Sequence, residues 1–472
     1  MLANGRISST STSLRRRKPV RRRAFAPQSE GMERHGLALV CGFSVVPLCI
    51  FLLTVAAGIP MDAPLLWIAS SAINIGGALF VIPKDAWQAP DVGLVESIGL
   101  IAASILAGVF LFFGLRSLDG GDVFSTVHHC LYVIVMHTIA NDASWSVPLY
   151  DWISGDTIHY LVHHPTTEFN GLAPLFFEQR LGNAPILAAS VAVLGTVGWY
   201  LTTVYATVVT GVCIYLSAIE AKARPFAAAL AALIFCYAIH VFLGYFVNEN
   251  LYAVTLVAFL FWACLKKELD TGWLILVGIV CGHLVGVRYT SILFWPAVAL
   301  ALVWRNQNWK KRFLSLGTAG AIAILFILPW LYVNFIMLGE PITHPKIDSE
   351  FASRIVTNSI WGYEFEFRAL NWPFTDAVYR TAWNPFPSFM WLALWSTLCF
   401  GQIAIALSFA GVLRLWKTRR AFVLLLAFAI PHSLAITLLE SLDWEQLTYA
   451  APGLVPLGLV LALGIDGLAT AA

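Results

Sequence analysis

Charge is what this chain has least of. Of its 472 residues only 12% are Asp, Glu, Lys or Arg, where an average soluble domain carries about 25%. Hydrophobic residues reach 59% and the mean hydropathy is +0.75, so a water-soluble globular protein is excluded. Cysteine is sparse as well, with eight in all. Cys41, Cys49, Cys213, Cys236, Cys264, Cys281 and Cys399 lie in apolar runs, and only Cys130 lies in a polar loop. With no Cys-x-x-Cys pair, the sequence offers neither a disulfide framework nor a cysteine metal site. Heptads, a soluble domain and a convincing internal repeat are also missing, which removes coiled-coil and solenoid architectures.

What fills the chain instead is a series of long apolar runs. A bilayer-spanning helix needs roughly 17–25 mainly apolar residues. Such runs cover 36–59, 64–82, 94–115, 186–218, 226–245, 250–265, 271–287, 289–304, 313–337, 389–413, 421–439 and 449–466. The expected fold class is therefore all-α integral membrane, with about 12 transmembrane helices. The three runs between 250 and 304 are short, and 186–218 is longer than one crossing requires. The first run is too long for the apolar region of a signal peptide, and no cleavage pattern follows it.

Charge placement gives the orientation. Residues 1–35 hold nine Lys or Arg against two Glu, a net +7. This tail is polar, Ser/Thr-rich and without apolar periodicity, so it is expected to be disordered. Beside a transmembrane helix such a run retains the N-terminus in the cytoplasm or touches anionic lipid, and nucleic-acid binding is not expected. With the N-terminus inside, 22 of the 29 basic residues fall in cytoplasmic segments. The seven left outside are Arg116, Arg180, Arg288, Lys346, Arg354, Arg368 and Arg380, mostly in long loops where the positive-inside rule has little force. The expected organisation is a basic tail (1–35), two extra N-terminal helices (36–93), a core (94–337) with an outer loop at 116–185, a second outer loop (338–388) and C-terminal helices (389–472).

Both long loops fall outside, and both are rich in Trp, Tyr, Phe and Pro, which is not a disordered composition. Segments such as Trp145 to Tyr160 and Leu172 to Leu181 mix aromatics with acids as interfacial helices do. The first loop holds Asp119, Asp122, Asp142, Asp151, Asp156, Glu168 and Glu178, and six of the eleven histidines. Ionisable groups at a membrane boundary are costly unless solvated or used. Arg116-Ser-Leu-Asp119-Gly-Gly-Asp122 emerges straight from the third run, holding two carboxylates near the bilayer surface. A carboxylate there can act as general base toward an acceptor hydroxyl when the partner carries a good leaving group such as phosphate. Phosphate wants a fixed cation, and Arg288 is the basic residue in the tight connection between the seventh and eighth runs. The bland alternatives are a turn carboxylate for Asp122 and a snorkelling interfacial side chain for Arg288.

At this point the layout resembles the GT-C glycosyltransferases, polytopic enzymes that use polyprenyl-phosphate sugars on the non-cytoplasmic side. Gly-Gly-Asp122-Val-Phe-Ser-Thr resembles that family's acidic first-loop motif, and Gly171-Leu-Ala-Pro174-Leu175 its Pro-Pro-Leu segment. Asn248-Glu249-Asn250-Leu opens a span, Gly286-Val-Arg288-Tyr289-Thr closes one, and Leu328-Pro329-Trp330 with Gly339-Glu-Pro341 ends the ninth. Glu445-Gln446-Leu-Thr-Tyr449-Ala-Ala-Pro452 resembles the start of the family's last helix. The resemblance implies Asp122 as the catalytic base, with Asp119 as second choice, and Arg288 on the donor phosphate. Glu249 is a further second choice, and Glu249, Tyr289 and Tyr449, which lie in these motifs, are candidate substrate contacts; His163 and His164 of the first loop are, apart from the resemblance, candidates for a structural or acceptor-contacting role. Two departures stand out: Val123 where the family usually has an acidic residue, and Thr448 where it usually has Arg before the Tyr. The first bears on metal use: no cofactor is certain, and a divalent cation is the open candidate.

The activity so implied is inverting transfer of a hexosyl or pentosyl group from a polyprenyl-phosphate donor to a lipid, glycan or protein acceptor. The expected location is a bacterial inner membrane, with the N-terminus cytoplasmic. Three alternatives remain open. A secondary transporter would need polar or charged residues inside its spans, whereas here Glu96, His240, His283 and His432 are isolated and lone histidines are expected to be satisfied packing positions. A polysaccharide polymerase or ligase would share the lipid substrate. A di-iron desaturase or hydroxylase is suggested only by His159-Tyr-Leu-Val-His163-His164, one box where several are needed.

Overall fold

The computed structural model describes Glu33 and residues 36–45, 196–243, 249–305, 308–338, 386–439 and 448–471. Among these residues the chain is helical, with no strand. After a short helix over Gly36–Val45, which closes in a π-turn at Cys41–Val45, ten α-helices follow. They are α1 (Thr196–Glu220), α2 (Pro225–Phe242), α3 (Glu249–Leu265), α4 (Thr271–Val287), α5 (Trp295–Arg305), α6 (Trp309–Leu338), α7 (Phe386–Phe400), α8 (Gln402–Leu415), α9 (Arg419–Leu439) and α10 (Val455–Ala471). Two 3-10 turns interrupt them, Tyr289–Phe294 before α5 and Thr448–Leu454 before α10. Among the described residues, four helices are long and apolar enough to cross a membrane (Thr202–Glu220, Pro225–Phe242, Trp309–Leu328, Tyr449–Thr470), or five if α7 and α8 form one span. The runs expected at 64–82 and 94–115, and both long loops, lie outside the described residues.

Two expected spans are not single straight α-helices. The run at 389–413 breaks at Gly401, whose φ of +81° is left-handed backbone that glycine adopts at no steric cost. The helix axis turns by 106° there. The run at 289–304 begins as a 3-10 turn because Arg288, at φ −149° and ψ 121°, leaves the helix in an extended conformation.

Helix α3 is the axis of the bundle. Every residue from Asn250 to Cys264 is buried, as expected for a helix apolar on all faces. The Gly36–Val45 segment seals one side: Phe43 stacks on Tyr252 at 5.5 Å, Tyr205 donates to the Leu39 carbonyl at 2.6 Å, and Ser44 pairs with His283 at 2.8 Å. Helix α6 lies at the periphery, with only 11% of its Trp309–Leu328 stretch buried. It still approaches α4 closely, because Gly278 and Gly282 present no side chain to the Ala319 and Ala323 carbonyls. Gly411 of α8 and Gly464 of α10 make a similar contact, each against a carbonyl of the other helix, Val460 and Leu407. Small residues bringing backbones together are a membrane packing device, since lipid gives helices no hydrophobic reason to associate.

One pole of the bundle is basic. Arg305 donates to the carbonyls of Ala263, Cys264 and Lys266, and Arg420 to those of Cys264 and Lys266. These are the C-terminal carbonyls of α3, which have no partner inside the helix and which cations stabilise. Lys266 pairs with Glu33 at 2.5 Å and Glu220 at 3.4 Å, and lies 4.8 Å over the Trp273 ring. Four residues beyond Glu220, Arg224 meets Asp466 at 2.5 Å, and Arg414 meets the same carboxylate at 3.0 Å. All five of these cations come from connections that the sequence assigns to one side.

Packing by glycine makes a prediction. Gly411→Ala sets a Cβ against the Val460 carbonyl and is expected to cost about 1–3 kcal/mol. Gly317→Ala meets nothing within 4 Å and is expected to be neutral or to stabilise by up to about 1 kcal/mol. Thermal denaturation of the two variants in the same detergent checks both.

Candidate functional site

At the opposite pole, about 25 Å away along the 17 residues of α3, the polar residues converge on Arg288. It caps α4, and its backbone N–H donates to the Leu284 carbonyl at 2.9 Å. Its extended backbone swings the side chain off the helix axis and inward, where it is only 1% exposed. The snorkelling alternative is thereby overturned, since a snorkelling arginine keeps its head in water.

Asn250 and Tyr449 both engage the guanidinium. Nη1 donates to the Asn250 side-chain oxygen at the start of α3. The Tyr449 ring covers the guanidinium face, with Cζ 3.8 Å from the ring centroid. An amide oxygen and an aromatic face are both neutral, so they orient the cation without cancelling its charge. Asn250, Arg288 and Tyr449, one residue from each of three short motifs that the sequence spreads over some two hundred residues, thus meet.

The wall behind this site is aromatic. Phe294, closing the turn that follows Arg288, stacks on His432 of α9 with centroids 4.7 Å apart and planes at 21°. Phe428, one turn earlier on α9, lies 5.8 Å from Phe294 and 5.2 Å from Phe261 of α3. His432 is fully buried, and among the described residues neither ring nitrogen has a partner. The other two buried histidines do: His240 pairs with Thr207 at 2.7 Å and His283 with Ser44 at 2.8 Å. The expectation that lone histidines are satisfied packing positions therefore holds for two and fails for His432. An apolar groove of about 330 Å³ runs between α4, α5 and α6, lined by Ile292, Trp295, Leu316, Ala319 and Ala323 among others.

Of the residues singled out from the sequence, Arg288 and Tyr449 are brought together. Glu249 is the first residue of α3 and Tyr289 the first of the 3-10 turn, so both backbones border the cluster. Asp119, Asp122, His163 and His164 lie outside the described residues. Sequence reasoning missed Asn250 and His432. In Asn248-Glu249-Asn250 the charge of Glu249 drew attention from its neutral neighbour, although the first turn of a helix facing a cation was a usable signal. His432 had none, being a single histidine in an apolar run.

Residues 184–333 match the family model of the dolichyl-phosphate-mannose-protein mannosyltransferases. That family belongs to the GT-C superfamily, which bears out the resemblance read from the short motifs. No curated protein and no solved structure matches the chain. The matched segment contains α1 to α5 and most of α6, including Asn250 and Arg288, and ends before Tyr449 and His432. The match supports a membrane glycosyltransferase of the mannosyltransferase-like kind, and the apolar helices agree with an integral membrane protein.

The clamp on Arg288 has a measurable stability. Asn250→Ala leaves a buried guanidinium without this acceptor and is expected to cost about 1.5–3 kcal/mol. Tyr449→Leu removes the ring face and is expected to cost about 0.5–2 kcal/mol. The midpoint of unfolding in mixed micelles reads both, with Lys311→Ala on the exposed surface as the unchanged control.

Proposed function

We propose that this chain transfers a sugar, mannose first among the candidates, from a polyprenyl-phosphate donor to an acceptor hydroxyl, with Arg288 holding the donor phosphate. The observation that carries the reading is the buried guanidinium, oriented by Asn250 and Tyr449 at the pole opposite the basic cluster. A preorganised cation in a water-poor site stabilises charge that develops on a leaving phosphate far better than one in water. The family match adds the donor class.

In this mechanism the acceptor oxygen attacks the anomeric carbon from the face opposite the phosphate, and its proton passes to the Asp122 carboxylate. The bond between the anomeric carbon and the phosphate oxygen breaks, the polyprenyl phosphate leaves with the electron pair, and the configuration inverts. Arg288 compensates the charge gained by the phosphate. Asp119 is the second choice as base. The site works on the non-cytoplasmic face, because the basic pole is the side that the positive-inside rule assigns to the cytoplasm. Acceptors are lipid, glycan or protein hydroxyls.

Asp122→Asn is expected to insert and fold normally while losing transfer from a polyprenyl-phosphate sugar, measured with purified protein and radiolabelled donor. Full activity in Asp122→Asn with loss in Asp119→Asn would move the base by three residues. Arg288→Lys keeps a charge but not the planar fork and is expected to lower kcat/KM for the donor by roughly 10²–10³-fold.

A further inference from the structure

We infer that His432 is a second ligand of the donor phosphate, giving a hydrogen bond to one non-bridging oxygen while Arg288 engages the other. The inference rests on the phosphate reading of Arg288 and adds a residue from a helix that the family match does not reach.

The argument begins with an exception. Three histidines are buried among the described residues. Two have a hydroxyl within hydrogen-bond distance, as close as 2.7 Å for His240 and 2.8 Å for His283. His432 has none for either ring nitrogen among the described residues, although a buried polar group without a partner is rare and calls for a reason. An imidazole carries at least one N–H in any protonation state, so this ring brings a donor into the protein interior and leaves it unused.

Its position supplies the reason. The ring is fixed by stacking on Phe294 at 4.7 Å, and Phe294 is in turn backed by Phe428. Nδ1 faces the turn at Thr448–Leu454, where a Cβ added to Gly453 would come within 3.4 Å of it. His432 therefore stands where α9 meets the two 3-10 turns, one following Arg288 and the other carrying Tyr449. Phe294, on which it stacks, ends the turn that Arg288 caps. The turn after Arg288 adds two more hydroxyls, on Thr290 and Ser291, that are buried and without a partner among the described residues. One fixed cation next to several unused donors is the complement of a phosphodiester, which carries one charge over two free oxygens. As the sugar leaves, charge builds on those oxygens and each donor binds more strongly, so the histidine assists departure as well as binding.

The test uses the full-length protein in lipid nanodiscs, titrated calorimetrically with a polyprenyl monophosphate and, in a parallel arm, with inorganic phosphate. His432→Phe keeps a ring to stack on Phe294 and removes the donor, whereas His432→Gln keeps a donor. We expect the Phe variant to melt within a few degrees of wild type without ligand and to bind polyprenyl monophosphate at least tenfold more weakly. The Gln variant should stay within about threefold of wild type, and inorganic phosphate should bind far more weakly than the lipid. Should the Phe variant not fold, His432→Leu, which also carries no donor, is held to the same tenfold criterion. Unchanged binding in the Phe variant, with loss in Arg288→Gln, would overturn the role of His432 and leave the phosphate site standing. Unchanged binding in both, or no lipid binding by wild type, would overturn the two together. Inorganic phosphate binding as tightly as the lipid would overturn the assignment to a lipid donor.

Discussion

The bundle is organised by the two ends of a single buried helix, and those ends are held by arginines in opposite ways. At the C-terminus of α3, Arg305 and Arg420 donate to carbonyls that the helix cannot satisfy itself. At its N-terminus the roles reverse, and the Asn250 side chain accepts from Arg288. At the N-terminal end Asn250 and Arg288 are both buried and cannot turn to water, while Arg305 and Arg420 at the other end are half-buried. Their pairing fixes how far α3 sits along the bundle axis relative to α4, α5 and α9, and with it the register of the site.

The two poles use the same residue type for different ends. Arg305 and Arg420 spend their donors on backbone, and Lys266 and Asp466 gather carboxylates and guanidiniums into a lattice of ion pairs. At the other, Arg288 is oriented by neutral groups, with unused donors nearby on Thr290, Ser291 and His432. An oriented cation with unfilled donors nearby is suited to an anion.

Much of this was legible in the sequence, and the failures are instructive. The helices near α2, α3, α4, α6 and α9 fall close to the expected runs, because apolar length is a strong signal in a bilayer. The bias of basic residues toward alternate connections in the sequence anticipates the cations that gather at one pole. Arg288 and Tyr449 were singled out through short motifs, and they touch. Apolarity alone could not reveal the break at Gly401, since Phe400 and Ile403 on either side keep the run hydrophobic while one left-handed residue redirects the axis. The burial of Arg288 also escaped, because it depends on an extended residue at a helix end and not on any pattern of residue types. His432 could not be told from His240 or His283, since what separates them is whether a hydroxyl stands opposite, which is a tertiary fact.

The long reach of the contacts around α3 has a consequence for biogenesis. Asn250 waits for Arg288, the far end of α3 waits for Arg305 and then Arg420, and the aromatic cover of the guanidinium arrives with Tyr449, close to the end of the chain. Contacts of such sequence separation form late. Each hydrophobic segment can leave the insertion machinery as it is synthesised, yet Arg288 is made long before Tyr449. The aromatic cover of the guanidinium is therefore complete only once the segment carrying Tyr449 has packed against it.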